Sequence, residues 1–421
     1  MKVSAAAVSH ALPRAMYVHM PFCRRRCFYC DFPIVVVGDK AGAADRAAER
    51  YCALLDRELA CTPAADPLAS IYFGGGTPSL TPPGLIRGLL HRLDERYGLA
   101  EDSEVTLEMD PGTFDAARLD EFVAAGVTRV SLGVQSFDPA LLKSAGRAHT
   151  LEDVHASLSL LLDRPEPLSV SIDLIGGLPQ QSLASWQASL DAAATCGAHH
   201  VSVYDLQVEP RTAFGRWFDA GELQLPDEDV SADMYRTASH TLSDAGFEHY
   251  EVSNYARPGH SSRHNRAYWR NDPFLALGLG ATSHVHGVRM SRPRRFADYE
   301  EWVARLEGGG WEASAAKGLE DESAVREAGR DQLTTELMLR LRTRDGCDFD
   351  ALRERFGEQL GGAAARACAD AAAETPAERV RLEPGARLAL TAPEGFLFSN
   401  DVIATVFARL DERLDDGAAA E

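Results

Sequence analysis

No apolar run in this 421-residue sequence approaches the roughly 18 residues of a membrane-spanning helix, so no span is expected. The longest β-branched patch, Ile34 to Val37, is far too short. Positive charge is also scarce. The formal net charge is −20, which argues against nonspecific binding to nucleic acid or an anionic membrane, since both need a positive field. A secretory signal is lacking, and with it the case for a disulfide framework among the cysteines. No second Cys/His pair stands at zinc-finger distance from the first cysteines, so a structural zinc site has only half its ligands. Residues 1–15 hold no acidic group and are rich in Ala and Ser, with Lys2 and Arg14. They read as a frayed terminus, or alternatively as the remnant of an organellar transit peptide.

What is present is a globular composition. Apolar residues make up 45%, and the length fits one large catalytic domain with a smaller one. Three cysteines, Cys23, Cys27 and Cys30, sit in the run from Tyr17 to Phe32 with C-x3-C-x2-C spacing. A cubane [4Fe–4S] cluster has four irons and is normally held by four cysteines. Three thiolates on one tight loop leave one iron open to chelate a small molecule. Cys52, Cys61, Cys196, Cys347 and Cys368 are scattered and read as buried or idle thiols. A free-thiol cluster site needs a reducing compartment. The cytoplasm is expected, with an organelle stroma or matrix as the alternative.

Strand-like segments alternate with helical patterns through the first half. The strands are expected at Met16–Met20, Ser70–Phe73, Val105–Met109, Arg129–Val134, Ser169–Ile175 and His200–Leu206. Helical periodicity fills the intervals, for example over Pro83–Tyr97 and Leu151–Leu162. Six such repeats predict an α/β fold with a parallel sheet, whose chemistry lies at the C-terminal strand ends. Beyond residue 330, short helical patterns and a hairpin about Pro384-Gly385 suggest a winged-helix-like domain. The expected organisation is a flexible terminus (1–13), a core barrel (14–225), an extension (226–306), a linker (307–329), a C-terminal domain (330–412) and a disordered acidic tail (413–421).

Polar and Gly-rich motifs follow each strand. Gly74-Gly-Gly-Thr-Pro78 follows the second; alone it is a tight turn, but glycines also let a ligand lie against the backbone. Glu108 ends the third strand, Gln135 the fourth, Arg147 follows in Gly146-Arg-Ala-His149, and Asp173 lies in the fifth. A carboxylate accepts from sugar hydroxyls, and a guanidinium grips a carboxylate in a fork. Each could be an ordinary strand-end polar group; together they suggest one ligand pocket. Two arginine groups, Arg24 to Arg26 and Arg289 to Arg295, read first as solvated loop charge and second as partners for carboxylates.

These segments, with Tyr17-Val-His-Met-Pro-Phe22, Gly133–Phe137, Asp173–Pro179 and His264-Asn-Arg-Ala-Tyr-Trp269, resemble the HemW and oxygen-independent coproporphyrinogen III oxidase (HemN) group of radical S-adenosylmethionine (SAM) proteins. The resemblance implies a partial (β/α)6 barrel with a [4Fe–4S] cluster on Cys23, Cys27 and Cys30. It implies that Tyr17, Tyr29, Gly75, Gly76, Thr77, Glu108, Gln135, Arg147 and Asp173 line the SAM site. The oxidases typically carry a fourth cysteine where this chain has Phe32, and a longer N-terminal arm. The His264–Trp269 segment matches the HemW branch, which resembles a heme chaperone that hands heme to acceptor proteins and draws on an electron donor.

In that motif a neutral His264 is a candidate axial ligand to heme iron. Tyr268 and Trp269 would pack against the macrocycle, with Asn265 beside them, and Arg263, Arg266 and Arg270 would meet the propionates. The plainer reading is an aromatic surface loop with a hydrogen-bonded histidine. Relatives often carry Cys where this chain has Ser262, so no thiolate is available there. His260, His284 and His286 are fallback ligands. The runner-up function is a SAM-dependent porphyrinogen oxidase that decarboxylates two propionates.

Overall fold

The computed structural model describes residues 11–40, 42–164, 168–327, 329–383 and 385–419. Six parallel strands form its centre: β1 (Ala15–Met20), β2 (Leu68–Gly75), β3 (Leu99–Met109), β4 (Arg129–Gln135), β5 (Ser169–Gly176) and β6 (His200–Asp205). They lie side by side in chain order, each paired in parallel with the next. Helices cross between them and cover the outer face. The first, α1 (Asp45–Cys61), buries Ala48, Tyr51, Cys52, Leu55 and Leu59 at helical spacing. The strands turn Val18, Ile71, Phe73, Val105, Leu107, Val130 and Leu132 outward onto that helical layer, all 3% exposed or less. Their alternate residues are polar and face the barrel interior.

The extension continues the sheet at both edges. Antiparallel strands β7 (Glu248–Glu251) and β8 (Asn254–Ala256) follow β6. At the other edge β9 (Phe274–Leu277) pairs in parallel with β1. The connection from β8 to β9 therefore crosses from one edge of the curled sheet to the other. It carries the short helix α2 (Arg263–Trp269), which caps the barrel at the strand starts. Glu104 of β3 accepts from the backbone N–H groups of Arg263 and His264, both at 3.1 Å.

A linker expected over 307–329 is instead structured. Helix α3 runs Phe296–Glu320 with a break at Gly310 (φ 77°), and Ala324–Arg326 adds an edge strand to the sheet. The triple glycine 308–310 redirects a helix rather than ending it. Glu307 anchors that helix through Arg57 at 2.6 Å.

The C-terminal unit has its own apolar core, including Leu333, Leu337, Phe349, Leu352, Cys368, Leu388, Val406 and Leu410. Three short antiparallel strands (Cys347–Asp348, Arg387–Leu390, Val380–Glu383) pack with helices Arg330–Arg340, Phe349–Glu374 and Ser399–Ala419, a winged-helix-like arrangement. The last helix overrides the expected disordered tail from 413, and Arg413 pairs with Asp370 at 2.6 Å. Of the flexible terminus expected over 1–13, residues 1–10 lie outside the described residues, as do 420–421.

Candidate cluster and nucleoside site

The cysteine loop leaves β1 at the C-terminal end of the barrel. Phe22–Cys23 pairs in parallel with Val35–Val36, closing the loop on itself. Arg26 donates to the carbonyls of Cys30 and Phe32 at 3.1 and 3.0 Å, and Arg24 donates to that of Gly112 at 2.8 Å. The Phe28 amide donates to the Ala145 carbonyl at 3.1 Å. Two arginines of the first basic group thus fix the loop rather than meet an incoming carboxylate. In the second group Arg292 is buried on Glu58, and Arg289 pairs with Glu327 at 2.9 Å.

A cavity of about 400 Å³ opens beside this loop. Of the expected residues, Cys23, Cys27, Tyr29, Cys30, Gly75, Gly76, Thr77, Glu108, Gln135, Arg147 and Asp173 line it. Tyr17 does not; it lies inside the barrel, stacked on Tyr72 at 6.2 Å between ring centroids. The glycines earn their place by packing. Gly75 has φ +112°, and a Cβ there would sit 2.3 Å from the His19 ring; one on Gly76 would meet the Pro21 backbone at 2.7 Å.

Two of the thiols, Cys23 and Cys30, are held toward the neutral form. Burial pushes Cys23 up to about 12 and raises Cys30 as well. Iron would have to displace their protons on binding. Among the described residues no three His, Cys, Asp or Glu side chains converge on a single metal ion. A cubane asks for less, because each of its corners takes one thiolate. Three free cysteines on one loop, facing a cavity, fit that demand.

Arg147 lines the cavity with its guanidinium already partnered. Its Nη2 donates to Asp110 at 2.5 Å and to the Gly133 carbonyl at 3.0 Å. Its Nη1 reaches Cys27 Sγ at 3.3 Å and the Tyr29 hydroxyl at 3.2 Å. The guanidinium is already committed to the cysteine loop and a carboxylate, and its Nε is buried without a partner.

Glu108 accepts from Tyr72 at 2.8 Å and from the Gly75 amide at 2.9 Å. Burial, with the Asp173 charge nearby, pushes it up to about 7; burial pushes Asp173 up to about 6. Ser131 donates to Asp173 at 3.1 Å. Two carboxylates poised near neutrality, in a cavity with few competing cations, are well placed to accept from ribose hydroxyls. Sequence reasoning missed Asp110, Tyr72 and Tyr204, although Asp110 has the same strand parity as Glu108.

The His264 motif lies at the opposite end. His264 is 1% exposed, with Nδ1 3.0 Å from the Ser70 hydroxyl and Nε2 2.9 Å from that of Tyr268. Burial lowers it to about 3. Both ring nitrogens are engaged inside the barrel floor, so His264 offers no lone pair outward, against the heme-ligand expectation. Trp269 bonds Glu251, and Asn265 contributes its backbone amide to the Ser262 cap at 3.2 Å. Arg263 pairs with Asp102 at 2.7 Å and Arg266 with Asp345 at 3.1 Å. The topology buries His264 and leaves Arg263 half-exposed.

The family described as the Radical SAM superfamily matches residues 17–193. The heme chaperone HemW of Synechocystis sp. is 38% identical over 416 residues, covering 96% of this chain and 98% of its own length. That of Bacillus subtilis is 31% identical over 83% of this chain and 88% of its own. Among solved structures, coproporphyrinogen III oxidase (HemN) from Escherichia coli, a radical SAM enzyme, superposes with a TM-score of 0.74 at 19% identity, covering 95% of this chain and 91% of that one. At that identity the likeness speaks for the fold alone.

Proposed function

We propose, for a chain that belongs to the HemW family of the radical SAM superfamily, a heme chaperone that holds a [4Fe–4S] cluster and SAM at one end of its barrel and carries heme to acceptor proteins. The carrying observation is the joint lining of one cavity by Cys23, Cys27, Cys30, Glu108, Gln135 and Asp173. The three cysteines would hold the cluster, which when reduced supplies the electron that cleaves SAM. Glu108 and Asp173 would accept from the ribose, and Gln135 and the Gly75–Thr77 backbone would orient the rest. Arg147 would steady the cluster loop. An electron donor is required for that chemistry.

Phe32 supports the chaperone over the oxidase reading, because it stands where the oxidases typically carry a fourth cysteine. Two separate apolar cores support dividing the chain into barrel and C-terminal units. We place the protein in the cytoplasm or an organelle interior; among the described residues no helix is long and apolar enough to cross a membrane.

The test is anaerobic reconstitution followed by three measurements: iron and sulfide content, hemin binding by absorbance, and transfer of bound heme to an acceptor apoprotein. Cluster assembly, heme binding and transfer are expected. Conversion of coproporphyrinogen III to protoporphyrinogen would overturn the reading in favour of the oxidase.

A further inference from the structure

The exposed side of the cysteine loop is basic, in a chain whose net charge is −20. Residues 23–40 carry Arg24, Arg25, Arg26 and Lys40 against Asp31 and Asp39, and Arg25, Arg26 and Lys40 are exposed. Arg294 reaches over from the sheet extension and takes Asp31, at 3.2 Å. Asp39 lies 3.7 Å from Arg25, and both side chains are more than half exposed. The bonds that anchor Arg24 and Arg26 go to carbonyls, which carry no charge to offset theirs. Five cations therefore meet two carboxylates on this face. The remaining acids of the cavity, Glu108, Asp110, Asp173, Asp205 and Glu209, belong to β3, β5, β6 and the turns after them.

Apolar side chains stand among these charges. Phe32 is 58% and Val36 54% exposed. Each adjoins a cysteine of the cluster loop. Val36 is the strand partner of Cys23, so their backbones are one strand spacing apart, about 4.8 Å. Phe32 follows Cys30 by two residues. An apolar centre with a charged rim has the make-up of a protein interface. Its position beside two of the three cysteines narrows what the partner does. The cluster's electron comes from outside the chain, and electron transfer weakens steeply with distance. The donor has to seat where the ligands reach the surface.

We propose that this face docks an acidic one-electron carrier protein, with Phe32 and Val36 at the centre of contact and Arg25 and Lys40 steering its approach. The proposal rests on the cluster assignment above. One electron passes from the reduced carrier to the oxidised cluster; the carrier ends one electron more oxidised, and no bond forms or breaks. Arg24 and Arg26 hold the loop and add their charge to the field. A symmetric pair of copies of this chain would set the basic face against itself, which disfavours a second copy as the occupant. Electrostatic steering speeds encounter and fades as salt screens it. Such a contact suits a carrier that must leave to be reduced again.

The test uses full-length protein with its reconstituted cluster and, as probe, a reduced acidic flavodoxin. Stopped-flow absorbance reads the second-order rate of cluster reduction at low and at high salt. Wild type should be fast at low salt and slow at high salt. The double variant Arg25→Glu, Lys40→Glu should lose about tenfold at low salt and most of its salt dependence. Val36→Ser should slow reduction at both salt concentrations. Val325→Ser, equally exposed but on the edge strand Ala324–Arg326, should change nothing. Photoreduction with a small deazaflavin should proceed equally in all four proteins, which separates a lost docking face from a damaged cluster. Calorimetric binding of oxidised flavodoxin to the cluster-free proteins should follow the same order. Equal rates in wild type and the double variant at low salt would overturn the proposal and leave the chaperone reading standing. A dimer that sediments in wild type and is lost in the double variant would do the same, by assigning the face to a second copy. A wild type that assembles no cluster would sink the cluster assignment and this proposal with it.

Discussion

Arg147 places one guanidinium nitrogen 3.3 Å from Cys27 Sγ and the other 2.5 Å from Asp110. A hydrogen bond and a positive charge beside a cluster thiolate stabilise the reduced, more negative state. Arg147→Ala should therefore shift the reconstituted cluster to a more negative potential, on the order of tens of millivolts. A redox titration monitored by electron paramagnetic resonance reads this directly. An unmoved potential with weakened SAM binding would return Arg147 to the role its motif suggests.

Replacing Cys23, Cys27 or Cys30 with Ala should abolish the broad visible absorbance of the reconstituted protein and most of its iron. Cys52, Cys347 and Cys368 are buried, Cys61 ends α1, Cys196 caps the helix Leu183–Thr195, and none of the five lines the cavity. Changing any of these five should leave about four irons per chain. Iron retained in the triple variant would rule out the loop as the cluster site.

The fold was largely legible and the site partly so, for reasons that individual residues make plain. Pro83–Tyr97 and Leu151–Leu162 carry enough apolar periodicity for the helices to be read at their observed limits. The cysteine spacing is a local property and so survives in the sequence. Asp110 and Tyr204 become site residues only because parallel strands line up their C-terminal ends. His264 is harder still. A seven-residue polar-aromatic helix has no local mark of burial, and only the crossing from one sheet edge to the other places it under the barrel. The run 307–329 was misread because glycines, read as a break in structure, here kink a helix that is held by Arg57.

Glu108 predicts a pH dependence. Its folded value, about 7, lies above its ordinary carboxylate value, so the folded state keeps a proton that the unfolded chain releases. The contribution to stability is fully present at pH values below the ordinary value and is lost as pH rises through about 7. Glu108→Gln should thus gain stability relative to wild type at pH 8, and the gain should vanish near pH 4. Urea denaturation of the cluster-free protein across that range checks it; a difference independent of pH would contradict the assignment.

Glu58 and Arg292 are both fully buried and 2.7 Å apart, and Glu58 also accepts from Tyr299 at 2.5 Å and the Gly278 amide at 2.8 Å. They join α1 to the sheet extension. Glu58→Leu would leave a buried guanidinium uncompensated, at about 3–5 kcal/mol. The double variant Glu58→Leu, Arg292→Met should recover much of that loss in chemical denaturation. Equal destabilisation in single and double variants would mean that the pair's hydrogen bonds to the extension, not the stranded charge, dominate.

Tyr268 tests whether the aromatic segment is a floor or a ligand site. Its hydroxyl is the partner of His264 Nε2 at 2.9 Å, and its ring packs edge-on to Phe274 at 4.6 Å between centroids. Tyr268→Phe keeps the ring and removes only the hydroxyl. The neutral, buried His264 is then left with one unpartnered nitrogen, a cost of about 1–3 kcal/mol. Ser70→Ala removes the partner of the other nitrogen and should cost a similar amount. Since both hydroxyls satisfy the same ring, the double variant should show coupling rather than simple addition. Chemical denaturation of the four proteins measures the cycle. Wild-type stability in Tyr268→Phe would show that the His264 ring is free to turn outward, and would reopen it as a ligand.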